Sequence, residues 1–256
     1  MTQPDDDKLF SHGYGWRARI GFLSPGAVDE SSSRQFYRMA PPGVTIVRTA
    51  LGVTDITPEQ IGEALTRAEE SARRLARTEP DCIILGGSPT VVLGGYGSDN
   101  VLVDRIQRAS GIQTSAAQSA AVEAMRVLGM RRVAVATPFP PPFPELLREF
   151  LEKSGLSVPA LDSLGVEYRK LRMSPLRAGY ELAKRTFEAA GGADGIYFAG
   201  APFPVADIID RLERELNTTV ISSMQCTLWK GLRMSKATEG VSITGYGRLL
   251  RDFLDA

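Results

Sequence analysis

At 256 residues, 43% hydrophobic and 23% charged, the chain has enough apolar material for one large domain or two small ones. Thirty basic and thirty acidic residues cancel, which removes any overall field favouring nucleic acid or anionic membranes. No apolar run approaches the ~18 residues of a membrane span. The polar, acidic start lacks the order of a signal peptide, and two cysteines, Cys82 and Cys226, cannot make a disulfide framework, so a reducing cytoplasm is the expected location.

In chain order, residues 1–16 are polar and are expected to form a flexible segment. They contain the single histidine, His12, on which any serine triad or multi-histidine metal site would have to rest. Ile20 to Leu23 is a short apolar run ending at Ser24-Pro25, as a buried parallel strand does. Val44 to Val47 is a β-branched run after Pro41-Pro42-Gly43. Thr57-Pro58-Glu59-Gln60 opens a helix, with Thr57 as cap, Pro58 in the first turn and Gln60 completing a capping box. Ile61, Leu65, Ala68, Ala72 and Leu75 carry it onward at helical spacing. Cys82 to Leu85 reads as a central strand and Ala116 to Leu128 as a helix. Val133 to Ala136 is again a strand, Ser174-Pro175 starts a helix, Ile196 to Phe198 is a strand, and Cys226 to Met234 a helix.

These elements repeat. Arg19-Ile20-Gly21-Phe22-Leu23-Ser24-Pro25 resembles Arg132-Val133-Ala134-Val135-Ala136-Thr137-Pro138; Leu51-Gly52-Val53 recurs as Leu164-Gly165-Val166; Asp81 to Pro89 resembles Asp194 to Pro202. All three matches share an offset of 113 residues, and a shorter echo relates Gln118–Arg126 to Gln225–Arg233. Two copies are too few for a solenoid. The pattern predicts an α/β protein of two pseudo-symmetric Rossmann-like lobes, each with a parallel four-stranded sheet from the internal duplication, and a site at their interface. The expected lobes are 17–128, with a C-terminal return of about 236–256, and 129–235.

Ligands of open α/β sheets bind beyond the carboxyl ends of the strands. Gly87-Ser88-Pro89-Thr90 and Gly200-Ala201-Pro202 fall there, and glycine permits close backbone approach. Facing one another, the two turns would make a cradle of main-chain N–H groups for a small carboxylate or di-acid. Pro25 and Phe139 lie on the same rim. Ser222 ends another strand and can either bind a carboxylate or cap the next helix. Tyr96, between Gly95 and Gly97, can reach the site from a loop. Asp29 and Glu30 read as a solvated loop face or as a general base. No cluster has metal-ligand spacing, so no metal is expected.

The duplicated plan, with a loop after each central strand, resembles the aspartate/glutamate racemase superfamily, and within it the maleate cis-trans isomerase and arylmalonate decarboxylase branch. Arg19-Ile20-Gly21-Phe22 with Pro25, Gly129 to Pro138, Val220-Ile221-Ser222-Ser223 through Trp229, and Gly245-Tyr246-Gly247-Arg248-Leu249 carry the likeness. The resemblance implies a cofactor-independent decarboxylase or isomerase acting on a small carboxylic or dicarboxylic acid through a stabilised enediolate. It also implies a homo-oligomer. The family pattern places a cysteine after each central strand; here those positions are Gly87 and Gly200, and the family's carboxylate-holding tyrosine matches Phe139. Glycine carries no proton. The remaining proton donors are Cys226, which is either a thiol at a helix start where its pKa can fall or a small buried helix residue, and otherwise Tyr96, Tyr246 or a bound water. A lapsed member that binds a di-acid as sensor or carrier is the alternative.

Overall fold

The apolar runs that end at Ser24-Pro25 and Thr137-Pro138 become interior strands of two parallel sheets in the computed structural model, which describes residues 4–255. The first half contains α1 (Pro4–His12), β1 (Ala18–Gly26), α2 (Ser31–Met39), β2 (Val44–Val53), α3 (Pro58–Thr66), α4 (Ala68–Ala76), β3 (Cys82–Leu85), α5 (Ser88–Val92), α6 (Ser98–Ser110), β4 (Thr114–Ala116) and α7 (Ala117–Val127). The second contains β5 (Val133–Thr137), α8 (Phe143–Lys153), β6 (Leu161–Ser163), a 3-10 stretch Tyr168–Met173, α9 (Leu176–Ala190), β7 (Gly195–Phe198), α10 (Ile209–Leu216), β8 (Thr219–Ser222), α11 (Ser223–Met234) and α12 (Arg248–Asp252). The strand orders are β2-β1-β3-β4 and β6-β5-β7-β8.

The duplication extends to the hydrogen-bond register. Ile20 pairs with Cys82 and Leu23 with Leu85; Val133 pairs with Gly195 and Ala136 with Phe198, the same pairs 113 residues on. Each copy is also pinned by one aspartate. The Asp81 carboxylate accepts from the Arg19 N–H at 2.7 Å, and that of Asp194 from the N–H groups of Arg131 and Arg132 at 2.7 Å. The two backbone donors hold Asp194 below its ordinary pKa. Every residue of β3, β5, β7 and β8 is buried, which is why their central residues are apolar.

Several local expectations change. The helix from Thr57 to Leu75 is two helices, α3 and α4, interrupted at Arg67. Thr57 accepts from the Gln60 N–H, but the Gln60 carboxamide oxygen accepts instead from the N–H groups of Thr54 and Asp55, so the capping box does not close. In the segment expected to be flexible, residues 4–12 form α1; residues 1–3 lie outside the described residues. Among the described residues no helix is long and apolar enough to cross a membrane.

The halves interlock around α11. Gly231 on this helix allows it to approach Ile20 of β1, whose Cδ1 would lie 2.5 Å from a side chain there. Gln35 on α2 is a second clasp. Its side chain, 5% exposed, donates to the Ala201 carbonyl at 3.0 Å and accepts from the N–H groups of Val205 and Ala206. A first-half residue therefore holds the backbone of a second-half turn. The last segment touches the first half, where Arg17 donates to the Glu239 carbonyl, before α12 returns to the second. There Glu213 accepts from the N–H groups of both Val220 and Arg248.

Candidate active site

The two glycine turns converge. Gly87, Ser88 and Pro89 from the first half and Gly200, Ala201 and Pro202 from the second line one cavity of about 30 Å³. A water needs about 10–15 Å³ measured this way, so the space suits a group the size of a carboxylate. Pro25 and Phe139 complete its apolar wall. Val28, Asp29, Tyr168 and Pro202 also line an adjoining outer cavity of about 220 Å³, whose rim carries Arg169 and Arg172. A small acid can thus seat its carboxylate deep and leave its substituent outside.

Which backbone donors face this space is decided by what the others already do. Pro89 and Pro202 have no N–H. Thr90 gives its N–H to the Gly87 carbonyl at 3.1 Å, and Gly200 gives its own to Ser223 Oγ at 3.0 Å. The N–H groups of Gly87, Ser88 and Ala201 have no acceptor among the described residues. The Ser88 hydroxyl is buried and makes no well-formed hydrogen bond, although it lies near enough to the Tyr197 hydroxyl to oppose the rise that burial gives that phenol's pKa. The Tyr197 hydroxyl behind the turns is occupied by Gln118 at 3.1 Å and Ser223 at 3.0 Å. Buried unpaired donors are costly, so a row of them in a cavity marks a place for an acceptor.

A second polar set lies opposite. Asp29 pairs with Arg48, accepts from Ser32, and both charged side chains are mostly buried, at 12% and 17% exposure. Arg48 Nη1 donates to Ser33 at 2.8 Å and Nη2 to Ser24 at 3.0 Å, while the guanidinium stacks 4.7 Å from the Phe22 ring centre. Burial lowers Arg48 to about 10, which leaves it cationic at neutral pH. Tyr168 stands beside this pair, with its ring stacked on Phe139 at 6.5 Å; burial raises its pKa, and the Arg48 charge opposes that rise.

A family profile described as arylmalonate decarboxylase matches residues 20–250. The chain belongs to the arylmalonate decarboxylase family. The arylmalonate decarboxylase of Bordetella bronchiseptica is 27% identical over 234 residues, spanning 90% of this chain and 95% of its own. The maleate isomerase of Nocardia farcinica is 24% identical, spanning 91% and 95%. A liganded double mutant of arylmalonate decarboxylase superposes with a TM-score of 0.82 at 27% identity, over 91% of this chain and 98% of that one. A mutant of the Nocardia farcinica isomerase holding a covalently bound succinylcysteine intermediate shares the fold, with a TM-score of 0.83 at 22% identity over 91% and 98%.

In this family member no cysteine lines the cavity. Cys226 is fully buried in α11, and burial pushes its thiol far above the ordinary range rather than below it. The helix start that was to lower its pKa belongs to Ser222 and Ser223, one turn earlier. Cys82 is buried too and is pushed up to about 11. Tyr96 packs against Phe150 at 5.7 Å and lines a different groove with Leu65 and Val101. Thr90 lies behind the turn, its hydroxyl donating to the Gly86 carbonyl at 2.9 Å, so it does not face the cavity. Ser222 caps α11 in a full capping box with Gln225, which decides between its two readings. Asp29 is not a solvated loop residue, because Arg48 reaches it from β2; Glu30 is solvated. Among the cavity residues the sequence did not signal are Ser32, Ile56 and Tyr168, with Arg48 and Gln35 behind them. Tyr168, Arg48 and Gln35 act through partners distant in sequence, whereas Ser32 meets Asp29 three residues away; the Ser/Thr-Pro strand ending pointed to Ser24.

Proposed function

We propose that this chain is a cofactor-independent enzyme that binds a small carboxylic or dicarboxylic acid between its lobes and passes it through an enediolate. Decarboxylation of a malonate-type acid is the preferred reaction. One observation carries this reading: three unpaired N–H groups and one unpaired hydroxyl, from two turns related by duplication, border a single carboxylate-sized space. When a malonate-type acid loses carbon dioxide, charge moves onto the oxygens of the carboxylate that stays. Fixed donors aimed at those oxygens stabilise that charge without reorganising, and one such donor is typically worth about 100–1000-fold in rate. The apolar wall of Phe22, Pro25 and Phe139 favours departure of a neutral molecule over retention of a second charge.

The printed activities of the relatives, arylmalonate decarboxylase and maleate isomerase, support the substrate class. A cysteine adduct of the isomerase kind has no thiol here to form it, which supports decarboxylation over isomerisation. The test is incubation of the purified protein with aryl- and alkylmalonates and, separately, with maleate. Carbon dioxide release from the malonates is expected, with no fumarate from maleate. Tight binding of these acids with no product from any of them would replace the enzyme by a di-acid sensor or carrier, the reading that the absence of a lining cysteine favours.

A further inference from the structure

We propose that Tyr168 is the catalytic acid of this site, delivering its phenolic proton to the α-carbon of the enediolate left by decarboxylation. The inference rests on the decarboxylase reading above and adds the missing proton donor. Few groups bordering the inner cavity carry a transferable proton. Ser24, Ser32 and Ser88 are alcohols, too weakly acidic to protonate an enediolate readily. The Asp29 carboxyl is already engaged as an acceptor by Arg48 and by the hydroxyl and N–H of Ser32. Tyr168 remains.

Its placement supports the role. Tyr168 belongs to the second half, yet its hydroxyl lies directly against Gly26 at the end of β1, filling the space that a side chain there would take. Pro25, the preceding residue, packs on Gly87 in the same way. The phenol is therefore delivered across the interface to the rim on which Gly87 and Ser88 present their N–H groups. Its ring is fixed by stacking on Phe139. Burial keeps the phenol protonated before the reaction, and the nearby Arg48 cation favours the phenolate formed after it.

The step balances with water as the only co-reactant. The bond between the α-carbon and one carboxyl carbon breaks, and carbon dioxide leaves. Its electron pair passes into the enediolate, whose oxygens rest on the Gly87, Ser88 and Ala201 donors. The α-carbon then takes the proton as the Tyr168 O–H bond breaks. The phenolate recovers a proton from water in the outer cavity, which Tyr168 also lines.

The experiment uses the full chain and an α-methyl-α-phenylmalonate as probe, in deuterated water. Carbon dioxide release and the enantiomeric composition of the 2-phenylpropionate are followed for the unmodified protein, Tyr168→Phe and Gly26→Ala. A positioned donor makes the unmodified product optically enriched. Tyr168→Phe is expected to lower turnover by about 100-fold or more, in line with general-acid contributions, and to give racemic residual product protonated by water. Binding of unreactive malonate should change less than threefold. Gly26→Ala keeps the phenol but displaces it, and should also erode optical purity. Turnover within threefold of the unmodified protein, or an optically pure product from both variants, overturns the assignment. So does racemic product from the unmodified protein. No carbon dioxide from the unmodified protein would instead overturn the decarboxylase reading, and this inference with it.

Discussion

The turn at Gly87 and the turn at Gly200 descend from the same duplicated segment, yet they are wired in opposite ways. Gly87 keeps its N–H free, is followed by the unpartnered Ser88 hydroxyl, and packs so closely on Pro25 that a side chain has no room. Gly200 spends its N–H on Ser223, and the network behind it runs through Tyr197 to Gln118, while Gln35 of the other half holds the Ala201 carbonyl. The first turn is left electrostatically hungry and the second is braced. The duplication presents two equivalent strand ends, and Ser88 beside one and Ser223 behind the other give them different roles. A buried donor without a partner lowers stability and is useful only where a ligand arrives, whereas a satisfied network fixes geometry.

That contrast can be broken at several points. The largest effect is expected from Gly87→Cys. Its φ of +82° is unfavourable for any side chain, and the new Cβ collides with Pro25. Carbon dioxide release should fall at least about 100-fold, by analogy with loss of an oxyanion donor, and adding Pro25→Ala should recover part of it. Gly200→Cys meets Phe139 and Pro138 only at 3.2 Å and should lose less thermal stability than Gly87→Cys, although its φ of +129° strains it as well. A melting series of the two single variants decides that order.

Ser88→Ala and Ser223→Ala should separate activity from stability. Removing the unpartnered Ser88 hydroxyl is expected to cost about 100-fold in turnover while leaving the melting temperature unchanged or slightly higher. Ser223→Ala strands the Gly200 N–H and should destabilise the fold by about 1–3 kcal/mol, read by urea denaturation. Equal effects of both on stability would erase the distinction between donor and scaffold.

The smallest effects concern the thiols. Cys226→Ala should change turnover by less than about twofold, since a residue outside the cavity touches no reacting atom. Cys82 sits where the second half has Gly195. Its folded pKa of about 11 lies above its ordinary 9.0, so the native state holds the proton longer than the unfolded chain does. Stability is then full below pH 9 and declines as pH rises towards 11, and Cys82→Ala should flatten that limb in pH-dependent denaturation. Neither thiol should react with maleimide at pH 8 until the chain is unfolded.

The duplication was legible in the sequence because strand termini repeat as words, Ser/Thr-Pro at the ends of β1 and β5 and Gly-Ser/Ala-Pro after β3 and β7. The cavity wall formed by Pro25, Gly87, Ser88, Pro89, Phe139, Gly200, Ala201 and Pro202 was legible for the same reason. Thr90 and Cys226 misled because nearness in sequence says nothing about which way a side chain turns. Thr90 faces its own helix, and Cys226, three residues beyond Ser223, faces the core.

Local pattern and spacing determined the two sheets, their matched register and the two converging turns, because strand runs and glycine requirements are written in contiguous residues. The tertiary structure alone decided which donors stay unpaired and which acid stands beside them. Arg48 finds Asp29, Ser223 finds Gly200, Gln35 finds Ala201 and Tyr168 finds Gly26 only when segments far apart in the chain are packed together. Hydrogen-bond satisfaction in a buried site depends on those long-range meetings, and no short stretch of sequence encodes them.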